Sequence, residues 1–185
     1  MRRTLEAGAV LMLLAACDAG SPRVAEWHRE REEVSNRGFS DWSNMTSNLM
    51  VEKYGPPDRV ETLRLVWEGR GPWKKIVVWD ELGFLDNNRA AKNIEGTIVY
   101  PVPENKIDDL IAFSRGLHVS ADGGELSARS TSEERNLLML NLADGIVKGR
   151  LSPEEARVSY LRTLKLAEAG KSSPSMKRLL FDWPP

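Results

Sequence analysis

The stretch Leu117-His118-Val119-Ser120-Ala121-Asp122-Gly123-Gly124-Glu125-Leu126-Ser127-Ala128-Arg129 decides the fold class. Asp122-Gly123 favours a two-residue hairpin turn, because both central residues of such a turn need positive φ. That turn pairs Val119 with Leu126 and Leu117 with Ala128, so apolar residues meet on one face. The other face carries His118 opposite Ser127 and Ser120 opposite Glu125, with Arg129 alongside. A one-residue slip destroys the match, so turn and pattern select a single register.

Further strands lie upstream. Arg59–Trp67 and Trp73–Trp79 are rich in β-branched and apolar residues, and Glu68-Gly69-Arg70-Gly71-Pro72 supplies a turn between them. Apolar residues at both odd and even positions predict a hairpin covered on both faces, near a sheet centre. Asp80–Asn93 reads as an irregular loop. Glu95–Val102 reads as a third strand, and Pro101 and Pro103 place its end at an edge.

Four helices complete the pattern. Asp41–Tyr54, capped by Ser40 or Asp41, sets Trp42, Met45 and Leu49 on one face and is closed by Gly55 and Pro56-Pro57. Asn105–Arg115 carries Ile107, Leu110, Ile111 and Ser114 on one side. Thr131 and Glu134 have capping-box spacing before Leu137, Leu138, Asn141, Leu142, Ile146 and Val147. Ser152-Pro153-Glu154-Glu155 starts the last helix, with Tyr160, Leu161, Leu164 and Ala167 as its inward stripe. The expected fold is α+β: one domain over residues 41–170, with a small, mostly antiparallel sheet (two hairpins plus one strand) packed by about four helices. Residues 171–185 form a C-terminal tail.

The N-terminus gives an address. Met1–Cys17 reads MRRTLEAGAVLMLLAAC, a positive start, an apolar run and small residues before the only cysteine. It resembles a bacterial lipoprotein signal, which implies removal of residues 1–16 and acylation of Cys17. The apolar run is about ten residues, short of the roughly 20 that span a bilayer. Residues 17–40 then form the acylated cysteine and a charged tether. The implied location is the cell envelope, anchored in the membrane and facing the periplasm or exterior. Asp18 favours the inner membrane.

Composition excludes several classes. Net charge is −1 with both signs interspersed, unlike the basic footprint of a nucleic-acid binder. One cysteine and two histidines cannot build the usual structural zinc site. There is no phosphate-binding glycine loop, dinucleotide fingerprint or metalloprotease His-Glu motif, so no cofactor or metal is expected.

Several phrases resemble an uncharacterised group of bacterial envelope proteins: Lys53-Tyr54-Gly55-Pro56-Pro57-Asp58, Gly71-Pro72-Trp73-Lys74, Gly124-Glu125-Leu126-Ser127-Ala128-Arg129, Asn141-Leu142-Ala143, and Glu154-Glu155-Ala156-Arg157 with Tyr160. That resemblance implies a shared domain and carries no activity. The order helix, Tyr-Gly-Pro and two strands, over Asp41–Trp79, also resembles small lipoproteins of the outer-membrane assembly machinery. The strand and three helices that follow depart from it.

Three groupings bear on chemistry. His118, Ser127, Ser120 and Glu125 could support nucleophilic chemistry, but a solvated hairpin face has the same alternation, and there is no Gly-x-Ser-x-Gly elbow. Asp80, Glu81 and Asp86 could gather around a divalent ion, but their spacing misses the EF-hand pattern. Trp67, Trp73 and Trp79 could stack on sugar or peptide, although strand aromatics ordinarily fill cores. The function that fits best is a non-enzymatic binding or scaffolding module, held to the membrane through Cys17 and contacting another envelope protein. Trp27, Phe181 and Trp183 are the candidate binding anchors. The alternatives are a carbohydrate or peptidoglycan binder, and a hydrolase using His118 and Ser127.

Overall fold

The computed structural model describes residues 41–80 and 93–182, together with the helical positions Glu26 and Arg29. The signal segment, Cys17, Trp27, Glu81, Asp86 and Trp183 lie outside the described residues. In chain order the elements are α1 (Asp41–Tyr54), β1 (Arg59–Glu61), β2 (Arg64–Arg70), β3 (Trp73–Trp79), β4 (Ile94–Val99), α2 (Ile107–Phe113), β5 (Leu117–Val119), β6 (Glu125–Ser130), α3 (Glu133–Val147) and α4 (Pro153–Glu168). The strands form one six-stranded antiparallel sheet in the order β1-β2-β3-β4-β6-β5. The fold is α+β, as the sequence predicts.

The register of the β5–β6 hairpin follows the sequence pattern, with Leu117 opposite Ala128, His118 opposite Ser127 and Val119 opposite Leu126. The turn differs. Gly123 has φ 70, but its N–H donates to the Ser120 carbonyl at 2.9 Å, so the chain turns across Ala121-Asp122 in a four-residue loop. Two bonds from distant residues explain this. The N–H groups of Tyr100 and Val102 donate to the carbonyls of Gly124 and Gly123 at 3.0 and 2.8 Å, drawing both glycines towards the end of β4.

Four other expectations are corrected. Arg59–Trp67 is not one strand; it folds back at Thr62-Leu63 into the β1–β2 hairpin. The prolines after β4 stop the strand at Val99 but do not put it at an edge, since β4 lies between β3 and β6. On α1, Met45 and Leu49 are exposed, while Ser47 and Met50 are buried and Val51 and Tyr54 pack on the core. Ser132, not Thr131, caps α3, accepting from the Arg135 N–H at 3.4 Å.

The core lies between the helices and one sheet face, which contributes Leu65, Trp67, Ile76, Val78, Ile94, Ile98 and Leu126. α3 is buried almost all round at its centre, from Asn136 to Leu140 and again from Ala143 to Ile146. α4 starts with the expected capping box, Ser152 with Glu155, but buries only Ala156 fully. Leu161, read as part of its inward stripe, is exposed, and so is Ile111 on α2, where Phe113 points inward instead.

Candidate functional site

The site is built where α2 returns to the sheet. The helix ends at Phe113, and Leu117 N–H donates to the Ser114 carbonyl at 3.1 Å, folding the chain sharply into β5. Gly116 makes this possible: a Cβ there would lie 2.6 Å from the Arg129 carbonyl. β5 is the outermost strand, bonded to β6 alone. Its ladder is fixed by Arg129 N–H to the Gly116 carbonyl at 2.8 Å and Ser120 N–H to the Glu125 carbonyl at 3.0 Å. Backbone groups alternate along an antiparallel strand, so those of residues 116, 118 and 120 face β6. The Val119 N–H and the Leu117 and Val119 carbonyls therefore face outward.

Beside this open edge runs a groove of about 550 Å³ between α2 and β5. Ile107, Ile111, Leu117 and Val119 give it apolar walls, and Arg115 and His118 give it a polar rim. Ile111 is 52% exposed. Outward backbone groups next to apolar slots can accept an added strand, with main-chain bonds giving affinity and side-chain slots giving selectivity. The opposite edge, β1, is blunted by charge: Arg59 pairs with Glu68 at 2.7 Å, and Arg64 with Glu61 at 2.5 Å.

The hairpin face does not assemble a nucleophile. His118 and Ser127 are cross-strand neighbours, but His118 lines the groove and Ser127 does not. Ser127 Oγ shares a hydrogen bond with Thr97 Oγ at 2.9 Å. Ser120 Oγ donates to Asp122 Oδ1 at 2.5 Å and accepts from Glu125 N–H at 2.9 Å. With a further bond from the Gly124 N–H, the Ser120 hydroxyl holds the Asp122 carboxyl below its ordinary pKa. Glu125 pairs with Lys74. Asp80 is buried just beyond β3, and no group of three or more potential metal ligands occurs among the described residues.

Trp67, Trp73 and Trp79 do not form an exposed row. Trp67 and Trp73 are buried, and the Trp67 indole donates to the Gly55 carbonyl at 2.8 Å. Trp79 lies on the other sheet face between the guanidinium groups of Arg64 and Arg129, each 5.1 Å from its ring.

Sequence reasoning missed two buried carboxylates on α3. Glu133, 5% exposed, accepts from the Trp73 indole at 2.8 Å, from Lys53 at 2.6 Å and from the Tyr54 hydroxyl. Burial and Glu133 together push the Tyr54 phenol up. Burial works against the charge on Lys53, but Glu133 outweighs it and holds the ammonium above its ordinary pKa. Asp144 accepts from the Tyr100 hydroxyl at 2.9 Å and pairs with Lys148 at 2.7 Å and with Arg150. The one available signal for Glu133 was the pair of phrases Lys53-Tyr54-Gly55 and Gly71-Pro72-Trp73, which converge on it. Three partners surround each carboxylate, and that arrangement suits a structural clamp.

The C-terminal segment lies along α3. Phe181 meets Tyr100 edge to face, with ring centroids 5.4 Å apart, and Lys148 lies 5.6 Å from the Phe181 centroid. Phe181 is therefore half-buried against the body. No helix among the described residues is long and apolar enough to cross a membrane. Comparison with protein-family models, curated proteins and solved structures finds no match for this chain.

Proposed function

We propose that this protein is a lipid-anchored, non-enzymatic binding module of the bacterial cell envelope, and that it receives a short extended segment of another envelope protein along β5. The observation that carries the reading is the open β5 edge beside the apolar α2 groove. An edge of three residues suits a short segment, paired antiparallel or parallel to Val119, with apolar side chains seated against Ile111 and Leu117. The lipobox at Leu14–Cys17 supports attachment through acylated Cys17, facing the periplasm or exterior, with Asp18 favouring the inner membrane. One acyl chain binds a bilayer only marginally, so stable attachment requires more than one chain on Cys17.

Two experiments test this. A photo-crosslinker at Ile111 in the anchored protein should capture one envelope partner. Val119→Pro removes an outward N–H without breaking the ladder to β6, and should abolish that capture in a folded protein. Ser127→Ala should leave it intact. Equal capture by Val119→Pro and wild type would end the groove reading. Separately, Cys17→Ser should abolish labelling by a fatty acid and release the protein from membranes. An unlabelled wild type would end the anchor reading.

A further inference from the structure

A second cavity, of about 410 Å³, opens between the end of α2, the end of β6 and the first turns of α3 and α4. That volume falls in the range of small-molecule sites, roughly 300–1,000 Å³. Phe113, Met139, Tyr160 and Leu161 line it, and the rings of Phe113 and Tyr160 meet edge to face with centroids 6.3 Å apart. Arg129, Arg135 and Arg157 line it as well, with the Arg129 guanidinium held over the Trp79 ring.

The placement of Arg135 is the informative feature. It is the third residue of α3, where the positive end of the helix dipole disfavours a cation. Glu133, two residues before it, is turned away to Lys53, Tyr54 and Trp73, and the adjacent Glu134 is exposed. Among the described residues no carboxylate pairs with the Arg135 guanidinium, and no group hydrogen-bonds the Tyr160 hydroxyl. Burial pushes the Tyr160 phenol up, and the charge of Arg135 pulls it back. Arg157 is positioned by its bond to the Ala112 carbonyl at the end of α2. Its carboxylate neighbour, Glu154, stands 3.9 Å away and is largely exposed. The Arg135 and Arg157 guanidinium groups and a hydroxyl donor around an apolar floor are complementary to an anion that carries an apolar arm.

We propose that this cavity binds an anionic amphiphile, with its carboxylate or phosphate on Arg135, Arg157 and Tyr160 and its apolar arm against Phe113, Met139 and Leu161. Such a headgroup could belong to a free amphiphile or to a lipid still in the bilayer. Leu161, which lines the cavity, is 62% exposed, and Val158, one turn before it on α4, is 67% exposed. The site is separate from the β5 groove and stands or falls independently of it.

The test is calorimetric titration of the full chain with dodecyl phosphate below its micellar concentration. One equivalent should bind. Inorganic phosphate, lacking the arm, and dodecanol, lacking the charge, should each bind at least about tenfold more weakly. Arg135→Gln should weaken dodecyl phosphate by roughly tenfold or more, and Arg135→Lys should recover part of the loss. Unfolding curves of both variants should match wild type, which separates loss of the site from loss of the fold. Phosphatidylglycerol vesicles then assign the source. Arg135-dependent cosedimentation identifies a bilayer lipid; dodecyl phosphate binding without cosedimentation identifies a free amphiphile. No binding of dodecyl phosphate, or equal binding by Arg135→Gln and wild type, would overturn the site.

Discussion

Asn141 holds the backbone of Leu180: its Oδ1 accepts from the Leu180 N–H at 2.7 Å, while its Nδ2 donates to the carbonyls of Ser175 and Arg178, both at 2.9 Å. One amide side chain on α3 thus fixes three points of the C-terminal segment. Its two ends do different work, since only an amide can accept from one backbone group and donate to two others. The bonds set Phe181 against Tyr100, above the Asp144 cluster.

Asn141→Ala should therefore loosen the segment without unfolding the body. The expected cost is about 1–3 kcal/mol, because three backbone groups lose a half-buried partner. Hydrogen exchange should accelerate at Leu180 and its neighbours while the amides of β3 and β4 stay protected. Unchanged exchange at Leu180 would show that Phe181 alone docks the segment.

Glu133 joins three elements: the end of α1 through Tyr54, the start of β3 through Trp73, and the first turn of α3. Glu133→Ala leaves the buried Trp73 indole and the Tyr54 hydroxyl without an acceptor. We expect a loss of about 3 kcal/mol in denaturant unfolding, with most of it from those two groups. The pair with Lys53 adds little, since Lys53 is half exposed. Glu133→Gln keeps an acceptor oxygen and should fall between the variant and wild type.

Gly96 sits at the centre of β4 under the ring of Trp73. A Cβ there would lie 2.5 Å from the ring, so Gly96→Ala must displace a buried tryptophan. The expected cost is about 1–3 kcal/mol or more, from overpacking. Gly124→Ala is the control, because its nearest atom would be at 3.5 Å, an ordinary contact. Thermal unfolding should separate the two by several degrees. Similar midpoints would mean that the Trp73 ring has room to shift.

These sites show where local pattern stops being informative. The β5–β6 register was legible because a period of two and an Asp-Gly turn point the same way. The form of its turn was not, since it depends on bonds from Tyr100 and Val102. The α1 face was misread because hydropathy sends Met45 and Leu49 inward, whereas the face that packs carries the polar Ser47 with Met50, Val51 and Tyr54. Glu133 carries no local mark in the sequence; its partners lie 60 and 80 residues away in the chain. His118 was legible as a hairpin-face residue, yet the groove it borders exists only once α2 folds back on β5. Arg135 carries no local mark at all, because its significance lies in having no carboxylate partner among the described residues.

The three tyrosines give a pH prediction that covers the whole body. Tyr54, Tyr100 and Tyr160 are all pushed above the ordinary phenol value, chiefly by burial, with Glu133 adding to the effect at Tyr54 and Asp144 at Tyr100. A raised folded pKa means that the folded state holds the proton more tightly. The stability this contributes is fully present below about pH 10, the unfolded phenol value, and is lost as pH rises through the folded values. Lys53 shifts the same way, so its ammonium stays charged beyond its ordinary range. Absorbance at 295 nm should thus show little phenolate at pH 10, where free tyrosine is half ionised, and then rise together with loss of tertiary structure. Tyr100→Phe removes one titrating group and should flatten the alkaline fall in stability. A smooth titration centred near pH 10 in a protein that stays folded would show that the three hydroxyls are more open to water than their contacts with Glu133, Asp144 and the core allow.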